Sequence, residues 1–465
     1  MRLMHVTLIN PPLPRSSPYT KELLAQPLGL AYIAAVLEKA GISVNILDCP
    51  PLNHTHTDVK RYLEKHNPEV VGITSTTLTI ESALKTASVV KEASPDTKIF
   101  LGGPHVTFLD KETLMKAPYV NGVVRGEGEY TFLEVMERIR KGVSLQNIPG
   151  LTLMKDGGVF RFPDRPLIRD LDSIPYPARH LLPLNRYKAF GMKCPSMTVL
   201  SSRGCPFRCK FCSVRRIFGN MFRARTAGNI LGELKELYEV YQTRYVTFVD
   251  DIFTLDRRRT LEICRGIKSS ALDIVWDCET RVDALTKPLV DAMAEAGCQS
   301  IFFGVESGDQ GILNAMGKGI TTEQIRRAFK WAKEAGIKTV ASVILFYPGE
   351  NAHTIEKTVS FLKELDPDLA QFCIATPFPG TELYEEMVRN GLIQKIEWSK
   401  FDVLTPVFTL NGYTMEEMKK TWGKAYASFY LRPIYIAKRI LKRDWLTIRA
   451  FLYLLLKTLK SKLTQ

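Results

Sequence analysis

Three absences narrow this sequence before any motif is read. No basic leader followed by a long apolar core and a small-residue cleavage site opens it; Met1-Arg2-Leu3-Met4-His5-Val6 runs directly into a strand-like stretch. A cytoplasmic protein is therefore expected rather than a secreted one. Cysteine is scarce and odd in number, nine in 465 residues, and residues 1–190 hold only Cys49. That suits a reducing compartment with metal chemistry better than a disulfide framework. A membrane span is missing from the carboxyl-terminal region, whose apolar run covers only 450–456, whereas crossing a bilayer takes about 20 residues. Acid is nearly absent there as well: residues 421–465 carry ten Lys or Arg against one acid, Asp444. With Trp445 and several Ile, Leu and Tyr interleaved, this region reads as basic amphipathic helix. It either caps the main domain or lies on an anionic membrane surface, peripheral to the bilayer.

A chain of this length with 45% apolar and 24% charged residues makes two or three globular domains. Over 1–145, short apolar runs near 5–9, 44–47, 70–74 and 98–101 alternate with helical periodicity. This is the pattern of a doubly wound, Rossmann-like parallel sheet, whose ligands sit beyond the carboxyl ends of its strands. A Gly-x-Gly-x-x-Gly opening the first helix is lacking, which disfavours a dinucleotide. Residues 146–192 are rich in proline and read as a structured linker. Over 193–391, six strand and helix units predict a partial (β/α)6 TIM-type barrel with its chemistry at the carboxyl ends of the strands. A helical, basic region over 392–465 completes the α/β architecture.

Directly after the first barrel strand stands Cys205-Pro206-Phe207-Arg208-Cys209-Lys210-Phe211-Cys212. Cys-x-x-x-Cys-x-x-Cys on one short loop lets three thiolates take three corners of a 4Fe-4S cubane and leaves the fourth iron without a protein ligand. A structural zinc ion is the alternative, but it would want a fourth Cys or His at short spacing, and none follows Cys212 nearby.

On these residues the chain resembles the radical S-adenosylmethionine (SAM) superfamily. The resemblance implies that Cys205, Cys209 and Cys212 hold the cluster. It also implies that SAM is bound by Phe211, by Asp250 and Asp251 after the second strand, Arg281 after the third, Glu306 and Ser307 after the fourth, and Gly349 after the fifth. A Gly-Gly-Glu common in the family after the second strand is replaced here by Phe248-Val249-Asp250-Asp251. The front domain, with Leu101-Gly102-Gly103-Pro104-His105 and Gly126-Glu127-Gly128-Glu129, is similar to the cobalamin-binding subfamily. The implied cobalamin contacts are Thr74, Ser75, Thr76, Gly102, Gly103, Gly126 and Glu127. The glycines remove side chains where a bulky tail approaches the sheet edge. In many cobalamin domains Asp-x-His-x-x-Gly supplies a lower cobalt ligand; here Asp48 is followed by Cys49 and Pro50, so no histidine comes from that motif.

What the subfamily implies is methyl transfer to an unactivated carbon of a small molecule or lipid. One SAM remethylates cobalt and a second yields a 5′-deoxyadenosyl radical that abstracts a substrate hydrogen, with electrons from a donor such as flavodoxin or ferredoxin. A rival within the same architecture is radical oxidative cyclisation, as in the anaerobic magnesium-protoporphyrin monomethyl ester cyclase. A tRNA-modifying methylthiotransferase would need a second cluster from front-domain cysteines, so nucleic acid is a poor candidate partner. A cobalamin sensor or docking module is opposed by the intact three-cysteine loop.

Overall fold

The computed structural model describes residues 4–14, 24–187, 196–270, 272–393, 396–410 and 412–441. The expectations for Trp445 and the 450–456 run lie outside the described residues. Among them, no helix is long and apolar enough to cross a membrane.

The front sheet is built from β1 (His5–Asn10), β2 (Ser43–Asp48), β3 (Val70–Thr74), β4 (Lys98–Gly102) and β5 (Gly122–Val124), in the order β2-β1-β3-β4-β5 and all parallel. Their alternate residues feed two cores on opposite faces. Val6, Leu8 and Phe100 pack with helices 28–39 and 129–141, while Ile9, Ile73 and Leu101 pack with helices 56–66 and 80–93. Burial on both faces is why these strands read as continuous apolar runs. The strand order reverses between β1 and β3, which opens a crevice at the carboxyl ends.

Two further strands, β6 (Leu151–Lys155) and β7 (Gly158–Arg161), extend this sheet antiparallel. They come from the stretch expected as linker. Their turn is Asp156-Gly157, both at positive φ (51° and 75°), the backbone a two-residue hairpin requires. The rest of that stretch carries only short single turns among the described residues.

The second sheet contains β8 (Ser196–Val199), β11 (Tyr245–Phe248), β12 (Val275–Thr280), β13 (Cys298–Glu306), β14 (Lys338–Leu345) and β15 (Leu369–Ile374), each parallel to its neighbour in chain order. This is an open six-stranded barrel. Between β8 and β11, β9 (Ser202–Arg203) pairs antiparallel with β10 (Arg223–Ala224) and brackets the cysteine loop. An open barrel has two edges whose unpaired backbone needs partners. Gln26, from the front domain, donates from Nε2 to Ser196 O at 2.6 Å and accepts at Oε1 from Thr198 N at 2.8 Å, serving β8 as a strand would. On β15, Tyr430 Oη accepts from Ala370 N at 2.9 Å and donates to Ala370 O at 2.7 Å, and Trp422 Nε1 donates to Phe372 O. The helix Met415–Tyr430 that carries both side chains is thereby part of the barrel.

Candidate active site

The strands point one set of side chains outward and the other into the lumen. On β12, Trp276 and Cys278 join the outer core while Asp277 and Glu279 alternate with them. Tyr245 on the adjacent β11 donates its hydroxyl to Asp277. Neither Asp277 nor Glu279 was singled out as a site residue from sequence, although two acids alternating with buried apolar residues in a strand were a legible signal of a polar lumen. Burial, then the nearby Asp251, pushes the Glu279 carboxyl up to about 7.

The cysteine loop lies at the carboxyl end of β8 and is pinned from several sides. Gly204 sits at φ +89°, and a Cβ there would collide with Met221 O. Cys205 N donates to Gly219 O, Lys210 N to Met316 O at 2.9 Å, and Leu383 N to Lys210 O at 3.0 Å. Cys205, Cys209 and Cys212 are half-buried free thiols. Among the described residues no three His, Cys, Asp or Glu side chains converge as ligands of one ion. A cubane takes one thiolate at each of three corners. The donor set, three thiols on one fixed loop at a barrel mouth, fits the cluster.

Around this loop the residues expected to contact SAM divide into braces and mouth-facing groups. Asp250 is fully buried and accepts from Ser201 N at 3.2 Å, Ser201 Oγ at 2.8 Å and Ser202 Oγ. Asp251 is exposed at the mouth; crowding by protein, then Asp250, raises its carboxyl to about 6. Arg281 stacks on Phe207 at 3.6 Å and forms a bidentate pair with Asp283. Glu306, at φ +62°, pairs with Lys318 at 2.7 Å. A Cβ on Gly304 would intrude on this pair, which explains the glycine two residues before it. Ser307 is a buried brace to Thr358 at 3.0 Å. Phe211 is half-buried with Lys318 Nζ 5.9 Å from its ring centre, and Gly349 lies in the turn after β14 at φ +95°.

At the carboxyl ends of β3, β4 and β5 a cavity of about 400 Å³ opens, lined among others by Gly72, Thr74, Gly102, Gly103, Gly126 and Glu127. It penetrates to Leu8, Phe100 and Phe132, and none of the described residues lining it is a histidine. Its lining includes Leu200, Arg203, Ile217 and Phe218 from the barrel side. Of the remaining expected contacts, Ser75 is buried and donates from Oγ to Gly102 O at 3.0 Å, while Thr76 N is capped by Thr79 Oγ1 at 2.9 Å. Glu127 accepts from Arg203 at 3.1 Å, from Arg223 at 2.9 Å and from Ile168 N at 2.8 Å. Asp48 is held by Asn10 at 2.8 Å and by the Tyr187 hydroxyl, and burial raises its carboxyl to about 7.

The two halves are joined by buried charge. Arg203, next to the cysteine loop, bridges to Glu127 and Glu129; Glu233 pairs with Arg179 at 2.6 Å and with Arg225, whose Nη1 also reaches Tyr32 Oη at 3.4 Å. Trp398 packs edge-on against His105 with ring centres 4.8 Å apart, and Gly380 lies so close to the Phe108 ring that no Cβ fits. The front cavity and the barrel mouth thus share one interface.

The family model of the radical SAM superfamily matches residues 199–362, and that of the B12 binding domain matches residues 21–136. An uncharacterized methyltransferase of Pyrococcus horikoshii is 38% identical over 97% of both chains. The chain belongs to the cobalamin-dependent radical SAM methyltransferase family. The family's cofactors are a 4Fe-4S cluster, SAM and cobalamin. This family member is also similar to the anaerobic magnesium-protoporphyrin IX monomethyl ester cyclase of Rubrivivax gelatinosus, at 28% identity over 88% of this chain and 74% of that protein. Its fold is that of the radical SAM methyltransferase TsrM from Kitasatospora setae, solved with cobalamin and a [4Fe-4S] cluster, with TM-score 0.71 and 19% identity over 84% of this chain and 79% of that one.

Proposed function

We propose that this enzyme methylates an unactivated carbon of a small molecule or lipid in the space between the barrel mouth and the front cavity. The observation that carries this reading is their shared interface: Arg203, two residues before Cys205, is held by the front domain's Glu127 and Glu129, and Ile217 and Phe218 line the front cavity. When bound, the cluster supplies the electron that cleaves SAM to a 5′-deoxyadenosyl radical, and cobalamin supplies the methyl group. Cys205, Cys209 and Cys212 would hold the cluster, and Asp251 and Glu279 offer mouth-facing acceptors to bound SAM. Asp250, Arg281, Glu306 and Ser307 act on that site by fixing the loops around it. Thr74, Gly102 and Gly126 would admit the cobalamin tail into the cavity, whose apolar depth and lack of a lining histidine suit a tail without a lower protein ligand.

Relatives act on magnesium-protoporphyrin and, in the hopanoid C-3 methylase of Methylococcus capsulatus, on a hopanoid. We extend from them a substrate that is a small molecule or a membrane-partitioning lipid. The electron comes from an external flavodoxin or ferredoxin, for which Pro206, Arg208 and Lys210 present an exposed face of the cysteine loop. A membrane-surface role is supported by the last described helix, Pro433–Leu441. Its Arg439 turns inward to Asp368 and Lys438 pairs with Asp366 at the surface, while Ile434, Ile440 and Leu441 are exposed.

The test is anaerobic reconstitution of wild type and of single Cys205→Ala, Cys209→Ala and Cys212→Ala variants, with iron, sulfide and corrinoid content and 5′-deoxyadenosine formation as readouts. Wild type is expected to hold four irons and one corrinoid, and each variant to lose the cluster and SAM cleavage. A variant with near-normal cluster absorbance and cleavage would refute the ligand set. Radical cleavage without S-adenosylhomocysteine would favour the cyclase-type reading, for which the relative in Rubrivivax gelatinosus speaks.

A further inference from the structure

Arg281 has four separate holds on its guanidinium. Nε and Nη2 donate to the two oxygens of Asp283 at 2.9 Å each, Nη2 donates again to Lys318 O at 2.9 Å, and the plane lies on the Phe207 ring at 3.6 Å. What these holds leave is Nη1, which points at Cys209 Sγ, 3.9 Å away. The side chain is 5% exposed, so its alignment is not shared with solvent. Phe207 itself lies between Cys205 and Cys209 in the loop; the stack therefore ties the guanidinium to the same segment that its N–H addresses.

The orientation of the charge matters as much as its presence. Asp283 balances Arg281 from the edge away from the sulfur, so the pair presents its positive end to Cys209. A reduced cluster carries one more negative charge than the oxidised one. A fixed N–H donor to a ligating sulfur stabilises that added charge and raises the potential, and burial strengthens the effect because water cannot substitute for the donor.

We propose that Arg281 is a positioning residue that donates an N–H···S hydrogen bond to Cys209, and that it thereby sets the reduction potential of the cluster. This rests on the reading that Cys209 is a cluster ligand. The Asp283 fork and the Phe207 stack are the parts of the device that aim Nη1; lysine, with no planar fork, reproduces the charge without the aim.

The experiment is an anaerobic redox titration of the reconstituted full chain, followed by electron paramagnetic resonance, for wild type, Arg281→Leu and Arg281→Lys. Iron and sulfide content are measured on the same samples. In Arg281→Leu, at unchanged iron content, the ratio of reduced to oxidised cluster at a fixed potential is expected to fall about tenfold or more, which is about 59 mV for one electron. Arg281→Lys is expected to fall by about threefold. An Arg281→Leu cluster with the wild-type potential overturns the proposal. If Arg281→Leu does not retain iron, Arg281→Lys decides, and an unshifted potential there overturns it equally. A wild-type chain that binds no cluster would instead sink the ligand assignment, through iron content and not through potential.

Discussion

Replacing Arg203 by methionine tests whether the front domain and the cluster loop are one mechanical unit. Arg203 is 5% exposed, with Glu127 at 3.1 Å, Glu129 at 2.6 Å and the Tyr32 ring centre at 5.5 Å. Burial works against its charge, but Glu129 and then Glu127 more than reverse this and hold the guanidinium well above its usual range. Methionine keeps most of the volume and removes the charge. Glu127 retains Arg223 and the Ile168 N–H. Glu129 does not fare as well, since its second oxygen is already buried without a partner. The cost is therefore that of stranding one buried carboxylate, about 3–5 kcal/mol. The double variant Arg203→Met with Glu129→Gln removes the stranded charge and is expected to recover about 2 kcal/mol, a coupling that non-interacting sites would not show. Urea denaturation followed by circular dichroism measures both, and corrinoid content should fall with the single variant. A single-variant loss below about 1 kcal/mol, or a double variant whose loss equals the sum of the two singles, would refute the reasoning.

Gly102→Trp is expected to block corrinoid binding while the barrel still binds its cluster, because a Cβ there meets nothing closer than Val124 O at 3.6 Å and the position lines the cavity. Gly103 is the poorer probe: it sits at φ +101° and any Cβ would strike Ser75 O, so substitution damages the fold as well as the site. Unchanged corrinoid occupancy in Gly102→Trp would count against the cavity as the tail site. Glu350 is buried with one oxygen unpartnered, and burial pushes its carboxyl up to about 8 against hydrogen bonds from Tyr347 N and Phe346 N. A raised folded value means the stabilisation is complete below the ordinary 4.5 and is lost as pH rises through about 8. Glu350→Gln should thus gain stability over wild type between pH 5 and 8, by about 1–4 kcal/mol; a difference in melting temperature that is flat with pH would contradict this. Finally, a chain ending after Leu441 should float less with anionic vesicles than the full chain, and neutral vesicles should bind neither. Cutting at 428 would instead unseat Tyr430 from Ala370. Equal flotation of the two chains on anionic vesicles would assign no membrane role to residues 442–465.

The cysteine motif was legible because its three cysteines fall within eight residues and their spacing carries the chemical expectation. The strands were legible because burial on both faces leaves continuous apolar runs, as in Val70–Thr74, and the six barrel strands needed only their order in the chain. The Asp156-Gly157 hairpin was equally local and was absorbed into an expected linker, since the prolines around it dominated the pattern. What only the tertiary structure decided is which charged groups spend themselves on one another. Adjacent carboxylates Asp250 and Asp251 are indistinguishable in sequence; one is sealed under Ser201 and Ser202 and the other faces the mouth. For Glu127, read from sequence as a cofactor contact, the fold adds Arg203, 76 positions away, as a partner of its carboxylate. For Arg281, read from sequence as a cofactor contact, the fold adds Phe207, Asp283 and Lys318 O, which fix the plane of its guanidinium. A short motif carries its geometry in covalent spacing, whereas the partner of a buried charge is set by whichever chain segment the fold brings against it.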